Sequence, residues 1–396
     1  MDYLFDIKAD RSGDIFWLKE IFTPDSVKEA GLISLKGAEF EFPTYEGYSK
    51  AVAAAAAKGV FGYNIPGRAY KDAVCYWLKA SRDVEIDPEW IITTHGTIFS
   101  LATAIRMFVG PEDSMIVPVP GYNRYEQAAT RMGLKTTFIR LKENKGVYEL
   151  DFDLLEKAMA REDTKLLVIC NPNNPCGNAY SREELLRIAE LSKRYGVAVF
   201  ADEIFADIAY DGLRIPCYAE VAGEDALAIS CTSLGKTFSL TCVNHANVII
   251  KNKELRERYR QQRDADHYGS IDPMTYAGLL GVYNEGGIAF KDALIDYVRG
   301  NYRLFCDFFA EKLPQVTVGR PAGTYVVWVD YSGLGLDSDE LNRLLVDEGC
   351  LAGDEGEEYY GNAMQYRYSL ALPRKELQKI LGRLDMAITK RNLNKK

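Results

Sequence analysis

Lys236 closes a strand-like run in SCTSLGKTFS, residues 230–239, and its neighbours decide what chemistry it can do. A lysine between glycine and threonine can cradle a nucleotide phosphate, or its amine can bond covalently to a carbonyl carbon. A phosphate-binding loop of the form G-x-x-x-x-G-K-[ST] needs its first glycine, because the backbone must curl so that successive N–H groups face phosphate oxygens. Ser230 stands at that position, inside the strand-like run, and argues against a nucleotide. A G-x-G-x-x-G dinucleotide fingerprint is also missing. An ordinary solvated lysine in a turn is the plainer alternative.

Two further segments weaken that alternative. Residues 171–177 read NPNNPCG and residues 201–205 read ADEIF. Singly, each has a structural explanation: Asn-Pro pairs make turns, and an acidic residue after a strand often caps the next helix. Jointly they bring an amide, a carboxylate, a lysine and hydroxyls to one crevice, the group types that a pyridoxal phosphate cofactor requires. Lysine bonds its aldehyde and a buried carboxylate keeps its pyridine nitrogen protonated. Backbone N–H groups and hydroxyls at a helix N-terminus receive its phosphate.

The elements that must position these groups follow from periodicity. Short apolar runs recur at residues 114–119, 166–170, 197–201, 227–231 and 247–250. Between the second and third lies an amphipathic pattern over Arg182–Tyr195, opened by Ser181 with Glu184 three residues on. Nearly continuous apolar strands alternating with helices predict an α/β architecture, a mostly parallel sheet covered on both faces. Ligands in such sheets sit at the carboxyl ends of strands, which here are marked by Asn171, Asp202 and Ser233. Beyond residue 285 the pattern changes to a long helical stretch reaching about Leu313, a strand over 324–330, a helix over 338–348, a strand over 365–372 and a closing helix. That order predicts a second, smaller α+β domain.

Composition narrows the partners. The 396 residues carry 48 Lys+Arg against 57 Asp+Glu, a formal charge of -9, which argues against a surface built for nucleic acid or anionic lipid and for a small-molecule partner. The eight cysteines form no C-x-x-C pair, so neither a zinc ribbon nor a disulfide framework is expected. His95, His245 and His267 are far apart, and no metal site is expected. The N-terminal residues show no basic-then-apolar leader, and no apolar run approaches the ~20 residues of a membrane span, so the cytoplasm is the expected location.

The succession N-P-x-N-P-x-G, D-E-hydrophobe and S-x-x-K-x-F resembles fold-type I pyridoxal-phosphate enzymes, the aspartate aminotransferase superfamily, over nearly the whole chain. The resemblance implies a large cofactor domain over 46–288, built on a mostly parallel seven-stranded sheet flanked by helices, and a smaller α+β domain from 1–45 and 289–396. It makes Lys236 the cofactor-bonding lysine and proton shuttle, Asp202 the partner of the pyridine nitrogen, and Asn174 a donor to the ring hydroxyl oxygen that also reaches substrate. Gly96 and Thr97, after the strand-like 90–93, correspond to the phosphate cradle, and Ser233 would add a hydroxyl. Tyr122 matches the aromatic that stacks on the ring, and Tyr63 the residue that crosses to the neighbouring subunit's phosphate and substrate, implying a homodimer with shared sites. Arg367 stands where the family places the arginine that grips the substrate α-carboxylate, a task suited to its planar fork.

Residues 59–63, 292–301, 321–328 and 330–336 resemble the MalY/PatB-type branch, the cystathionine β-lyases and cysteine-conjugate β-lyases. Asn244, eight residues after the lysine, stands where many aminotransferases carry a phosphate-binding arginine, and the lyase branch also lacks that arginine. The resemblance therefore implies α,β-elimination from a cysteine-derived amino acid, giving a thiol, pyruvate and ammonia. An aminotransferase is the second reading, and a non-catalytic binding protein that keeps the fold is a third. Departures from the branch are Phe205, where tyrosine or histidine is usual, Ser239 in place of asparagine, residues 37–42 and the acidic stretch GDEGEE at 353–358. The acidic stretch reads either as a solvated turn or as a feature favouring a cationic substrate.

Overall fold

The computed structural model describes residues 3–13, 17–266, 269 and 271–393; Met1, Asp2 and His267 fall outside them. Seven strands, β1 (Ile91–Thr94), β2 (Ser114–Val119), β3 (Lys135–Arg140), β4 (Thr164–Cys170), β5 (Ala198–Asp202), β6 (Ala228–Thr232) and β7 (Ala246–Ile249), form one sheet. Their spatial order is β1-β7-β6-β5-β4-β2-β3. β7 runs against both neighbours, and the other adjacent pairs are parallel. Every residue of β2, β5, β6 and β7 is buried, which is why these strands read as unbroken apolar runs. β3 is different: it forms the open edge, exposes Lys135 and Arg140, and so escapes detection by apolar content.

The register levels the carboxyl ends of three central strands. Cys170 of β4 pairs with Asp202 of β5, which pairs with Cys231 of β6. Asn171, Asp202 and Ser233 therefore emerge along one edge of the sheet. The helix Arg182–Tyr195 that returns the chain between β4 and β5 starts in the predicted capping box of Ser181 and Glu184 and stops at left-handed Gly196.

A four-stranded antiparallel sheet, β8 (Thr317–Val318), β9 (Val326–Asp330), β10 (Asp354–Glu355) and β11 (Gln365–Ser369), has the order β8-β9-β11-β10. The 28-residue helix Glu285–Lys312 ties this sheet to the rest. Its Phe290, Leu294 and Val298 pack in a core with Trp77 and Phe238, while Phe305 and Phe309 pack with Tyr368, Leu377 and Leu384. The predicted helix over 338–348 is α-helical over Ser338–Asn342 and widens to a π-helix over Arg343–Glu348. The predicted strand at 324 begins at Val326, because Thr324 takes a positive φ of 77° and bonds its own hydroxyl to the backbone of Val326.

Behind the central edge, Arg82 and Glu203 form an ion pair of 2.6 Å with side chains 1% and 0% exposed. Arg82 also donates to the carbonyls of Ile215 and Pro216, and Glu203 accepts from the Tyr218 N–H. The pair anchors the residue that follows Asp202. Arg82→Met should lower stability by about 3–5 kcal/mol by leaving a buried carboxylate without its counter-charge. Denaturant unfolding measures this, and a loss below about 1 kcal/mol contradicts it.

Candidate active site

A cavity of about 440 Å³ opens at the carboxyl edge of the large sheet, facing the small one. Lys236, Asp202, Asn174, Tyr122, Gly96, Thr97, Ser233 and Arg367 all line it, together with Phe205, Asn244 and Glu358. Tyr63 does not line it: the residue is fully exposed on the irregular stretch that follows helix Glu46–Ala56.

Burial sets the protonation of the two central groups. The Lys236 amine is brought down to about 8, first by burial and then by the positive charge of Arg367. It donates to the carbonyl of Ala38 at 2.9 Å, an oxygen that also accepts from the Tyr325 hydroxyl at 2.9 Å. Asp202 is pushed up to about 6 by burial, opposed by hydrogen bonds from the Tyr125 hydroxyl at 2.7 Å and the Ile204 N–H at 3.0 Å. Phe205 is wholly buried, with its ring centroid 5.9 Å from the lysine nitrogen and its edge against Tyr325. It can offer neither a proton nor a hydrogen bond there.

Another part of the cavity lining is a helix N-terminus. Helix Thr97–Phe108 starts at Gly96, whose φ of 121° admits a residue without a side chain, and no side chain caps the first turn. Among the described residues the buried Thr97 hydroxyl has no oxygen or nitrogen partner, with only the weakly bonding Cys231 thiol near it. A buried orphan hydroxyl beside an uncapped N-terminus is the arrangement a phosphate completes. Ser233 is turned elsewhere: its hydroxyl donates to the His245 carbonyl and accepts from the Gly235 N–H.

Arg367 is buried and bonded on three sides. It donates from Nε and Nη2 to Asp354 Oδ2 at 3.0 and 2.5 Å, and from Nη1 to Asn174 Oδ1 at 2.8 Å. Of the acidic stretch at 353–358, Asp354 is thus buried within the site, whereas Glu355, Glu357 and Glu358 are exposed and Glu358 reaches the cavity. Burial and the neighbouring carboxylate of Asp354 push Glu358 above its ordinary range.

Sequence reasoning missed Tyr125, Asp354, Ala38 and Tyr325. Tyr125, three residues after Tyr122, carried a usable signal, since that spacing places it one turn on at the start of helix Arg124–Thr130. Asp354 carried none, because only the pairing of β10 with β11 sets it directly opposite Arg367.

The donor set suits a carbonyl cofactor with an anionic tail, tethered by a lysine at the edge of an α/β sheet. The chain belongs to the aminotransferase class I and II family, whose model matches residues 24–384. It is 27% identical to the cystathionine β-lyase PatB of Bacillus subtilis (strain 168), over 89% of this chain and 88% of that one. With the MalY protein of Escherichia coli (strain K12) it shares 24% identity over 93% and 94% of the two chains. Cystalysin from Treponema denticola, a structure containing pyridoxal 5'-phosphate, superposes with a TM-score of 0.90 at 27% identity, covering 98% of this chain and all (100%) of the other. The pyridoxal-phosphate-bound C–S lyase of Staphylococcus hominis gives 0.87 at 25% identity, over 98% of each chain. The fold is that of fold-type I pyridoxal-phosphate enzymes. Among the described residues, no helix is long and apolar enough to cross a membrane.

Proposed function

We propose that the protein is a pyridoxal-phosphate-dependent C–S β-lyase. It removes a thiol from a cysteine-derived amino acid by α,β-elimination and releases pyruvate and ammonia. The observation that carries this reading is the convergence of a depressed lysine amine, a buried carboxylate and an oriented arginine on one cavity, in a chain similar along its length to C–S lyases.

When bound, pyridoxal phosphate would supply an aldehyde for the substrate amine and a protonated ring able to accept electrons from Cα. Asp202, as its carboxylate, would hold a proton on the ring nitrogen, and Tyr125 holds Asp202. The uncapped turn at Gly96 and Thr97 would hold the phosphate, with Ser233 in the same lining. Tyr122 would cover the ring, and Asn174 could donate its amide N–H to the ring oxygen while its own oxygen stays on Arg367. Arg367 receives the substrate carboxylate and so aims the Cα–H bond at Lys236. The neutral Lys236 amine takes the α-proton; the Cβ–S bond then breaks with its electron pair leaving on sulfur. Water hydrolyses the released aminoacrylate to pyruvate and ammonia.

The exposed apolar series Val60, Phe61, Tyr63 and Ile65 supports a homodimer in which Tyr63 reaches the partner subunit's phosphate and substrate. Residues 46–288 would form the cofactor domain and 1–45 with 289–396 the smaller one, with helix Glu285–Lys312 crossing between them. Eight unpaired cysteines support residence in the reducing cytoplasm.

Cystathionine or an S-substituted cysteine, supplied without any keto acid, should yield pyruvate and thiol in equal amounts. Amino transfer that depends on an added α-keto acid, with no pyruvate in its absence, overturns the reading and establishes the aminotransferase alternative. The altered segments 37–42 and 353–358, which bring Ala38 and Glu358 to the cavity, are what motivate that alternative.

A further inference from the structure

Arg367 is engaged before any substrate arrives. Asp354, directly opposite it across the β10–β11 pair, accepts from Nε and Nη2, Asn174 accepts from Nη1, and the Tyr359 ring lies 4.6 Å from the guanidinium carbon. A guanidinium has five N–H groups in a rigid plane, so these bonds leave one on Nη1 and one on Nη2. The same Asp354 carboxylate accepts from the Gly37 N–H at 3.2 and 3.1 Å. The next residue, Ala38, supplies the carbonyl that holds the Lys236 amine.

We propose that Asp354 is the positioning residue of the substrate-carboxylate site: it fixes the plane of Arg367 so that the remaining Nη1 and Nη2 N–H groups face the incoming carboxylate, and through Gly37–Ala38 it ties that grip to the acceptor of Lys236. The proposal rests on reading Arg367 as the carboxylate grip. Without Asp354 the guanidinium keeps its charge but loses two of its fixed bonds, and a long side chain must then be ordered by the substrate itself. Gly37 loses its acceptor at the same time.

The test compares Asp354→Ala and Asp354→Asn in the full chain. For Asp354→Ala, KM for the amino-acid substrate should rise roughly tenfold or more, as expected for loss of charged hydrogen bonds, while kcat changes less than about threefold. Asp354→Asn, which retains one acceptor oxygen, should recover a large part of the KM. Cofactor affinity, measured by absorbance titration, should stay within about twofold of wild type in both, because Asp354 lies behind Arg367 and does not line the cavity. A second readout needs no turnover: hydrogen exchange at the Gly37 amide should quicken in the cofactor-free Asp354→Ala protein. An unchanged or lowered KM in Asp354→Ala overturns the proposal, as does a parallel loss of KM, kcat and cofactor affinity in both variants. Should the alanine variant fail to fold, the asparagine variant carries the same comparison. If wild type transaminates and releases no pyruvate, the lyase reading falls, while KM in the half-reaction and Gly37 exchange still decide the role of Asp354.

Discussion

Lys236→Ala is expected to lower pyruvate release by about 10⁴-fold, the contribution of a positioned proton acceptor, even with saturating cofactor. The variant would lose both the proposed covalent tether and the proposed base; Phe205 beside it is apolar, and the Tyr325 hydroxyl is committed to the Ala38 carbonyl. Fold loss would not explain the effect, and stability supplies the control. The lysine is depressed from 10.5 to about 8 on folding, so its contribution to stability is present above the unfolded value and is lost as pH falls through about 8. At pH 7 the buried ammonium therefore opposes folding, and the cofactor-free alanine variant should melt no lower than wild type. Acylation of Lys236 in the cofactor-free wild type should follow the same ionisation, levelling off above pH 8 where an exposed lysine continues to gain reactivity. Wild-type turnover by the alanine variant, or a labelling rate that still climbs steeply at pH 10, contradicts the assignment.

Much of the site was legible because its groups sit on strands whose signal is strong. β2 and helix Arg182–Tyr195 have the bounds their patterns predicted, β4 starts two residues before its predicted run and ends with it, and β5 to β7 are each shifted from theirs by one residue. Strand ends in an α/β sheet are where ligands bind, so locating β4, β5 and β6 was enough to bring Asn174, Asp202 and Lys236 together. β3 stayed hidden because an edge strand has one side to cover and mixes Lys135 and Arg140 with Phe138. The parts of the site that escaped depend on register and chain return. Asp354 meets Arg367 only through the β10–β11 register, and Ala38 reaches Lys236 across some two hundred residues of intervening chain. The acidic stretch illustrates the difference: its composition suggested solvent or a cationic substrate, yet one of its carboxylates is spent inside, on the arginine.

Asp202→Asn should reverse the order of stability between the cofactor-free and cofactor-bound proteins and lower turnover by about 10³-fold, as removal of a preorganised charge does. Asp202 is raised from 3.8 to about 6 on folding, chiefly by burial. A raised carboxyl contributes stability that is full below the unfolded value and is lost as pH rises through the folded one. Above about pH 6, the cofactor-free wild type thus carries a penalty of about 3 kcal/mol, since raising a carboxyl by one pH unit costs about 1.4 kcal/mol. Asparagine has no such titration, so the cofactor-free variant should melt above wild type at pH 7–8, and the gap should close below about pH 4. With cofactor bound, the protonated ring nitrogen gives the carboxylate a counter-charge. Wild type then gains what the variant cannot, because a neutral amide does not hold the ring nitrogen protonated. In the variant the amide oxygen can keep the Ile204 N–H while the amide N–H donates to the Tyr125 hydroxyl oxygen, so local packing is preserved and the change reports on charge. Melting curves at pH 4 and pH 8, with and without cofactor, decide it: a variant less stable than wild type without cofactor at pH 8 would show that Asp202 is held for structure and not for the charge it presents to the ring.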